Sequence, residues 1–93
     1  MYYVYVLKSE TDSKFYIGYS ENLKKRVGAH CNGSVIATKN RRPIKLVYYE
    51  AYVNKADAKC MEKFLKSGSG YTFLKKQLMN YLREPTLPTG REI

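Results

Sequence analysis

Several residue types are scarce in this 93-residue sequence, and each scarcity excludes a class of protein. There are two cysteines, one histidine and no tryptophan. Cys31 and Cys60 form no CxxC pair and fit no zinc-binding spacing, so neither a disulfide framework nor a zinc module is expected. Without an export signal, this cysteine usage is typical of reduced thiols in a cytoplasmic protein.

Long apolar runs are also missing. No stretch approaches the roughly 20 residues that a membrane-spanning helix needs. The amino-terminal segment MYYVYVLKSE is apolar, but it has no basic leader and no small-residue cleavage site. We therefore interpret it as a first strand rather than a signal peptide, and we expect a cytoplasmic protein with no membrane partner.

Acidic residues are outnumbered by basic ones. The sequence has 17 Lys and Arg against 8 Asp and Glu, a formal net charge of +9. Such an excess indicates a polyanionic partner when it is clustered. A nucleic acid is favoured over an anionic membrane because no apolar helical face accompanies the charge. A merely solvated basic surface is the alternative. Residues 24–45 hold the cluster and contain no acid: Lys24, Lys25, Arg26, Lys39, Arg41, Arg42 and Lys45.

Three segments have strand patterns. Residues 2–7 and 15–19 are rich in aromatic and aliphatic side chains, and the polar segment SETDSK between them predicts an antiparallel hairpin. Residues 44–52, IKLVYYEAY, predict a third strand. The basic segment 33–43 before it is predicted to be a long loop, and long loops are often functional.

Three helices are predicted around these strands. The first follows Ser20 as N-cap and runs to about Cys31. The second is capped by Asn54, has Ala58, Met61 and Leu65 on its apolar face, and is broken by SGSG at 67–70. The third covers 71–83, before Pro85.

The predicted order β-β-α-β-α-α defines the fold class. It predicts an α+β fold in which a small three-stranded antiparallel sheet is flanked by helices. We expect a single domain over residues 1–83. The segment 84–93, with two prolines and little to pack, is expected to be a mobile tail.

Some of these residues have the chemistry of phosphodiester hydrolysis. That reaction needs activated water, neutralised phosphate charge and help for the leaving oxygen. Tyr16 stands near a strand end, just before Gly18, while Arg26 and His30 are one turn apart on the next helix. Tyr5 could hydrogen-bond Tyr16 across the hairpin. Taken singly, Tyr16 is better explained as a packed aromatic and Arg26 as a solvated helix charge. A surface or capping role explains His30 about as well, and packing in the sheet is the alternative for Tyr5.

Glu62 is a further candidate, as a metal ligand. It lies between the apolar face and the lysine-rich face of the second helix. A carboxylate at such a border usually needs a partner. Mg²⁺ held by one carboxylate, waters and a substrate phosphate would serve. A salt bridge to a basic residue of the first helix is an equally good reading.

Together these residues resemble the GIY-YIG nuclease family. The resemblance covers about residues 2–80 and includes the amino-terminal nuclease domain of the excision-repair incision subunit and the catalytic domain of certain homing endonucleases. The residues that match, in order, are Tyr3-Val4-Tyr5 at the GIY position, Tyr16-Ile17-Gly18 as YIG, Arg26, His30 and Glu62.

The resemblance implies metal-dependent cleavage of DNA with a single divalent ion, Mg²⁺ or Mn²⁺. Tyr16 would act as general base or position the attacking water, assisted by Tyr5. Arg26 and His30 would hold and neutralise the scissile phosphate, and Glu62 would carry the metal. The strand-holding surface is predicted to consist of Lys24, Lys25, Lys39, Arg41 and Arg42.

The sequence departs from the family pattern at several positions. Tyr3 replaces the first glycine of GIY, and Tyr19 stands where the repair enzyme's domain carries a lysine. Many members carry an asparagine late in the domain, for which Asn80 and Gln77 both remain open.

Three functions remain open from the sequence. The first is an endonuclease of repair or recombination, acting on branched or damaged DNA. The second is a catalytically weak nucleic-acid-binding module that acts with a partner protein. The third is an interaction module that needs a larger repair partner to deliver substrate. Loss of cleavage with retained binding in Glu62→Ala would separate the first from the second.

Overall fold

The structure is a computed structural model that describes residues 1–83. It confirms the predicted α+β class, with a three-stranded antiparallel sheet and helices on both of its faces. The elements in chain order are β1 (Tyr2–Ser9), β2 (Phe15–Ser20), α1 (Leu23–Cys31), α2 (Ile36–Lys39), β3 (Ile44–Tyr52), α3 (Lys55–Leu65), α4 (Gly68–Gln77) and α5 (Met79–Arg83).

The first strand is the centre of the sheet, whose strand order is β2-β1-β3. It pairs antiparallel with β2 through the predicted hairpin and antiparallel with β3 on its other side. A central strand is covered on both faces, which explains why Val4, Tyr5, Val6 and Leu7 are all at most 1% exposed.

One face of the sheet packs against α3 and α4. Val4 and Val6 project from β1 towards Ala58 and Leu65 of α3 and Leu74 of α4. All five are at most 2% exposed. This cluster, which we call the apolar core, confirms the predicted apolar face of α3.

The opposite face of the sheet packs against α1. Tyr5 and Leu7, which alternate with Val4 and Val6 along β1, form a second cluster with Ile44. Leu23 and Val27 of α1 pack against that cluster. The alternation of β1 therefore determines which side chains can meet α1.

Two helix starts test the predicted caps. Asn54 caps α3, with its side chain accepting from the backbone N–H of Ala56 and Asp57. The predicted Ser20 cap of α1 is wrong. Asn22 takes that place and accepts from the Lys25 N–H at 3.1 Å. Ser20 still belongs to β2, and its hydroxyl instead organises the turn by bonding the Asn22 backbone.

Two further boundaries differ from the prediction. The predicted loop 33–43 contains the short helix α2. The SGSG segment does separate α3 from the next helix, as predicted, but that helix begins at Gly68 rather than at residue 71, with Ser67 as N-cap accepting from the Gly70 N–H at 3.1 Å. The predicted helix 71–83 is also divided at Leu78 into α4 and α5. A Cβ at position 70 would lie 2.0 Å from the Phe64 carbonyl oxygen, so glycine here permits the close approach of α4 to α3.

The remaining sequence predictions have mixed outcomes. The predicted tail, 84–93, lies outside the described residues. No helix within residues 1–83 is long and apolar enough to cross a membrane. Cys31 and Cys60 are exposed free thiols, as expected from their spacing.

Candidate active site

Three buried side chains are joined by hydrogen bonds between the sheet and α1. The Tyr5 hydroxyl oxygen is 2.9 Å from His30 Nε2, and His30 Nδ1 is 2.7 Å from Thr38 Oγ1. Tyr5 is 1% exposed, and both His30 and Thr38 are fully buried. We call these residues the buried trio. They come from β1, α1 and α2, so the trio ties three elements together around one polar centre.

Both titratable members of the buried trio are neutral near pH 7. Burial lowers the pKa of His30, and the positive charge of Arg26 lowers it further. Burial raises the pKa of Tyr5, although the hydrogen bond from Arg26 opposes that shift. A neutral imidazole has one N–H donor and one acceptor. The two hydrogen bonds of the trio can therefore have either of two directions, with Tyr5 or Thr38 as the residue that donates to His30.

Gly18 of the YIG segment makes room for Tyr5. The two residues are paired across β1 and β2. A Cβ at position 18 would lie 2.3 Å from both Cζ and the hydroxyl oxygen of Tyr5. Any larger residue must therefore displace the Tyr5 ring from its position beside His30. The motif needs a glycine at this position because a side chain would occupy the space of the tyrosine ring.

Arg26 connects the buried trio to solvent. Its Nε donates to the Tyr5 hydroxyl oxygen at 3.4 Å, a long hydrogen bond. This contact raises the pKa of Arg26 above its ordinary value, so the guanidinium stays charged. The residue is exposed on α1. Since the bond uses Nε, the two terminal nitrogens can bind a phosphate in the forked manner typical of arginine.

Tyr16 lies beside the same centre on the next strand. It pairs with Leu7 across the hairpin, which puts it on the Tyr5 side of the sheet. Its ring centroid is 5.1 Å from that of His30, with the planes tilted by 59°. Tyr16 is half-buried, so its phenol borders both the buried trio and solvent.

Glu62 stands on α3, which packs on the other face of the sheet. One carboxylate oxygen is 3.3 Å from Lys59 Nζ and the other is 3.0 Å from Lys66 Nζ. Its ion pairs are thus with its own helix, rather than with the first helix as the alternative reading had it. The side chain is 16% exposed. Burial raises the pKa of Glu62, but the bonds from Lys66 and Lys59 outweigh burial and hold it below its ordinary value.

Four of the five predicted site residues lie around one centre, and Glu62 lies apart from them. Tyr5 is bonded to both His30 and Arg26, and the Tyr16 ring lies beside His30. Glu62 is more remote, but it is near enough for its charge to add to the effect of burial in raising the pKa of Tyr5. His30 is fully buried with both ring nitrogens bonded, so in this arrangement it supports Tyr5 and does not face solvent.

The predicted strand-holding residues differ in what they already bind. Lys24, Lys25 and Lys39 are exposed. Arg41 Nε donates to Asp12 Oδ2 at 2.9 Å, and the Arg41 bond holds the pKa of Asp12 down at about 2. Arg42 Nε donates to the Lys39 carbonyl oxygen at 3.1 Å. Arg41 therefore secures the loop after β1, whereas the lysines are open to a ligand.

Sequence reasoning missed Thr38. It lies in the segment that was predicted to be a loop, and a single threonine carries no signal of burial. A hint was the presence of Val35, Ile36 and Ala37 in an otherwise basic stretch. Gln77 and Asn80, the open candidates for a late amide, are both exposed at the junction of α4 and α5.

Comparison with known proteins gives these residues a family context. The chain is 45% identical over 67 residues to a UPF0213 protein of Clostridium perfringens, which covers 71% of each chain. It is 38% identical over 85 residues to a UPF0213 protein of Pediococcus acidilactici, covering 88% of this chain and 81% of that relative. No solved structure matches.

The family assignment rests on the span of its match. The GIY-YIG catalytic domain matches residues 1–75, from β1 into α4. That span contains the buried trio, Gly18, Arg26, Tyr16 and Glu62. The chain therefore belongs to the GIY-YIG catalytic domain family, and its relatives are UPF0213 proteins.

Proposed function

We propose that this protein is a divalent-metal-dependent endonuclease that hydrolyses phosphodiester bonds of DNA in repair or recombination. The observation that carries the proposal is the buried trio with Arg26 and Tyr16 around it. Buried polar residues in so small a domain contribute less to stability than apolar ones would. Their concentration at one point, under an exposed arginine, favours a preorganised reaction centre.

In this proposal Arg26 binds the scissile phosphate. The guanidinium is always charged, and its bond to Tyr5 fixes the direction from which it approaches. Lys24 and Lys25, on the same helix, attract the strand, and Lys39 adds charge nearby. Arg41 and Arg42 were grouped with them as strand-holding residues. Because both already make intramolecular bonds, they hold the shape of the basic segment in this proposal.

Tyr16 is proposed to orient the attacking water or to accept its proton. Its phenol lies at the boundary between the buried trio and solvent, where water and substrate can meet. Tyr5 assists by holding Arg26. His30, first expected at the phosphate, acts as a positioning residue because it is buried and bonded to Tyr5 and Thr38. A neutral His30 keeps the Tyr5 phenol in one orientation.

Glu62 is proposed to hold a single Mg²⁺ or Mn²⁺ ion. The residue fits such an ion because its lowered pKa keeps the carboxylate ionised. Lys59 and Lys66, whose side chains are 52% and 54% exposed, can leave it when a metal enters. Residues 1–83 contain no cluster of three or more His, Cys, Asp or Glu. A site of one carboxylate, waters and substrate phosphate suits Mg²⁺. When bound, the ion neutralises charge on the leaving oxygen.

The test is cleavage of labelled duplex, flap, four-way-junction and single-stranded DNA with Mg²⁺, with Mn²⁺ or with chelator. We expect metal-dependent cleavage that falls to background in Glu62→Gln and by about 10²–10⁴-fold in Tyr16→Phe. Glu10→Gln is the matched control, since Glu10 is an exposed carboxylate paired with Lys45. Cleavage that persists in chelator or in Glu62→Gln would contradict the proposal.

A second candidate is a catalytically weak nucleic-acid-binding module that acts with a partner protein. The observation that favours it is the engagement of both Glu62 oxygens by lysines. Absence of cleavage on every substrate, with DNA binding equal in the wild type and in Glu62→Gln, would support this alternative over the first.

A further inference from the structure

A groove runs along the outer edge of β2, outside the buried trio. It has a volume of about 640 Å³ and lies between the start of β2 and the facing residues of α3 and α4. This size is within the range of about 300–1,000 Å³ that is usual for ligand clefts. Tyr16 lines the groove, so it adjoins the proposed reaction centre.

The charged side chains that line the groove are all lysines. Lys14 approaches it from the turn just before β2, Lys66 from the C-cap of α3 and Lys75 from α4. Its described lining residues include no Asp or Glu. Lys66 also bonds Glu62, which brings the groove next to the proposed metal ligand. Glu62 compensates the charge of Lys66, but Lys14 and Lys75 make no ion pair within residues 1–83. Their charge favours a polyanion over a neutral or basic ligand.

The groove also contains an exposed aromatic ring. Tyr71 is 54% exposed at the start of α4. The Phe15 ring supports it from β2, with ring centroids 6.0 Å apart, and Lys75 Nζ lies 5.3 Å from the Tyr71 centroid. An aromatic ring held in place beside cations is the usual platform on which an unpaired nucleobase stacks.

We propose that this groove is a subsite for unpaired nucleotides of the substrate strand. A base stacks on Tyr71 while adjacent phosphates contact Lys14 and Lys75, and the strand then passes Tyr16. Bases in a duplex are already stacked on each other, so the subsite selects substrates with a single-stranded segment next to the cleavage point. The inference rests on the proposed function and specifies its substrate class.

Binding is tested with chelator present, so that no cleavage occurs. The probes are a single-stranded deoxyuridine oligonucleotide with a central 2-aminopurine, its uridine counterpart and a duplex of the same length. Stacking quenches 2-aminopurine, which an electrostatic contact alone does not do. We expect Tyr71→Ala to weaken single-strand binding by about 5- to 150-fold and to abolish quenching. We expect duplex binding to change by less than about twofold.

Matched variants separate stacking from general damage. Tyr71→Phe keeps the ring and should bind as the wild type does. Tyr49→Ala removes a tyrosine of nearly equal exposure, 53%, from β3 and should leave quenching unchanged. A double change, Lys14→Ala with Lys75→Ala, should lower the slope of log affinity against log salt by about 1.4. Lys63→Ala, an exposed lysine of α3, should leave that slope unchanged.

Several outcomes would overturn the subsite. One is a Tyr71→Ala variant that binds and quenches as the wild type does. Another is a rise in affinity in Tyr71→Ala, because the groove would then hold another segment, such as residues 84–93. A change of oligomeric state in Tyr71→Ala would mean that a second copy of the chain binds in the groove. Because the deoxyuridine and uridine probes differ only in the 2′-hydroxyl, a preference between them identifies the sugar, and either preference supports the subsite.

Failure of the subsite and failure of the nuclease proposal are distinguishable. Tyr71-dependent binding without metal-dependent cleavage would keep the subsite and remove the nuclease. Cleavage that needs Glu62 but is the same for wild type and Tyr71→Ala, with equal binding, would keep the nuclease and remove the subsite.

Discussion

The two faces of the sheet differ in what fills them. The face towards α3 and α4 is filled by the apolar core of Val4, Val6, Ala58, Leu65 and Leu74. The face towards α1 places the buried trio next to a smaller apolar cluster. Apolar burial stabilises without regard to direction, whereas the trio needs each partner in its place. Changes on the face towards α3 and α4 are therefore expected to affect mainly stability, and changes on the face towards α1 are expected to affect reactivity as well.

The largest effect on stability is expected in the apolar core. Leu74 is fully buried, and Leu74→Ala removes its contacts and leaves a cavity, which should cost about 2–5 kcal/mol of unfolding free energy. Denaturant unfolding measures this loss. Ile36→Ala is the control, because Ile36 is 89% exposed. A loss in Leu74→Ala no larger than that of the control would contradict the assignment of the core to this face.

A smaller effect is expected from the buried trio. Thr38→Val keeps the side-chain shape but leaves His30 Nδ1 without its partner, which should cost about 1–3 kcal/mol. Cleavage per folded molecule should fall as well, because His30 then no longer holds Tyr5 in one orientation. Denaturant unfolding and the cleavage assay measure the two quantities on the same preparation.

Thr72→Val is the control for this change. Thr72 is exposed on α4, and its hydroxyl bonds the Gly68 carbonyl oxygen at 3.3 Å. Equal losses in Thr38→Val and Thr72→Val would mean that the trio adds nothing to the fold. A loss of stability in Thr38→Val without loss of cleavage would mean that the trio serves the fold alone.

The strands and the long helices were accessible from sequence because their signals are local. The alternation of aromatic and aliphatic side chains along β1 and the cap at Asn54 each depend on a few adjacent residues. The short helix α2 was missed because Val35 at its N-cap makes no side-chain hydrogen bond. Similarly, Gly68 and Gly70 are poor helix formers, and the start of α4 depends on the Ser67 cap together with the close contact between Gly70 and α3.

The prediction of the site from the sequence was limited for the same reason, since local signals do not report contacts between elements. Arg26 and His30 are four residues apart on a helix, so the sequence predicted that they would lie side by side. Whether they faced the phosphate or the core depended on Thr38 and Tyr5, which come from other elements. Helical spacing cannot distinguish a buried histidine from one at the surface, and this is why its expected role changed from phosphate ligand to support of Tyr5.

The smallest effect expected is the dependence of stability on pH near neutrality, and His30 is its source. Burial and then Arg26 lower the pKa of His30 in the folded state below the unfolded value of about 6.5. As pH falls through that value, the unfolded chain gains a proton that the folded chain does not, so unfolding becomes easier. Stability is therefore complete above about pH 6.5 and declines below it.

Thermal unfolding between about pH 7.5 and 5.5 measures this decline, because the chain has only one histidine. The groups that face His30 are Tyr5, Tyr16, Thr38 and Arg26. The raised pKa values of Tyr5 and Arg26 keep both from changing charge in that interval. The Asp12 carboxyl, whose pKa is about 2, loses its contribution only at much lower pH. His30→Gln should flatten the profile. An equal decline in that variant would mean that His30 is not a buried neutral group, and the distinction between the two faces of the sheet would fail.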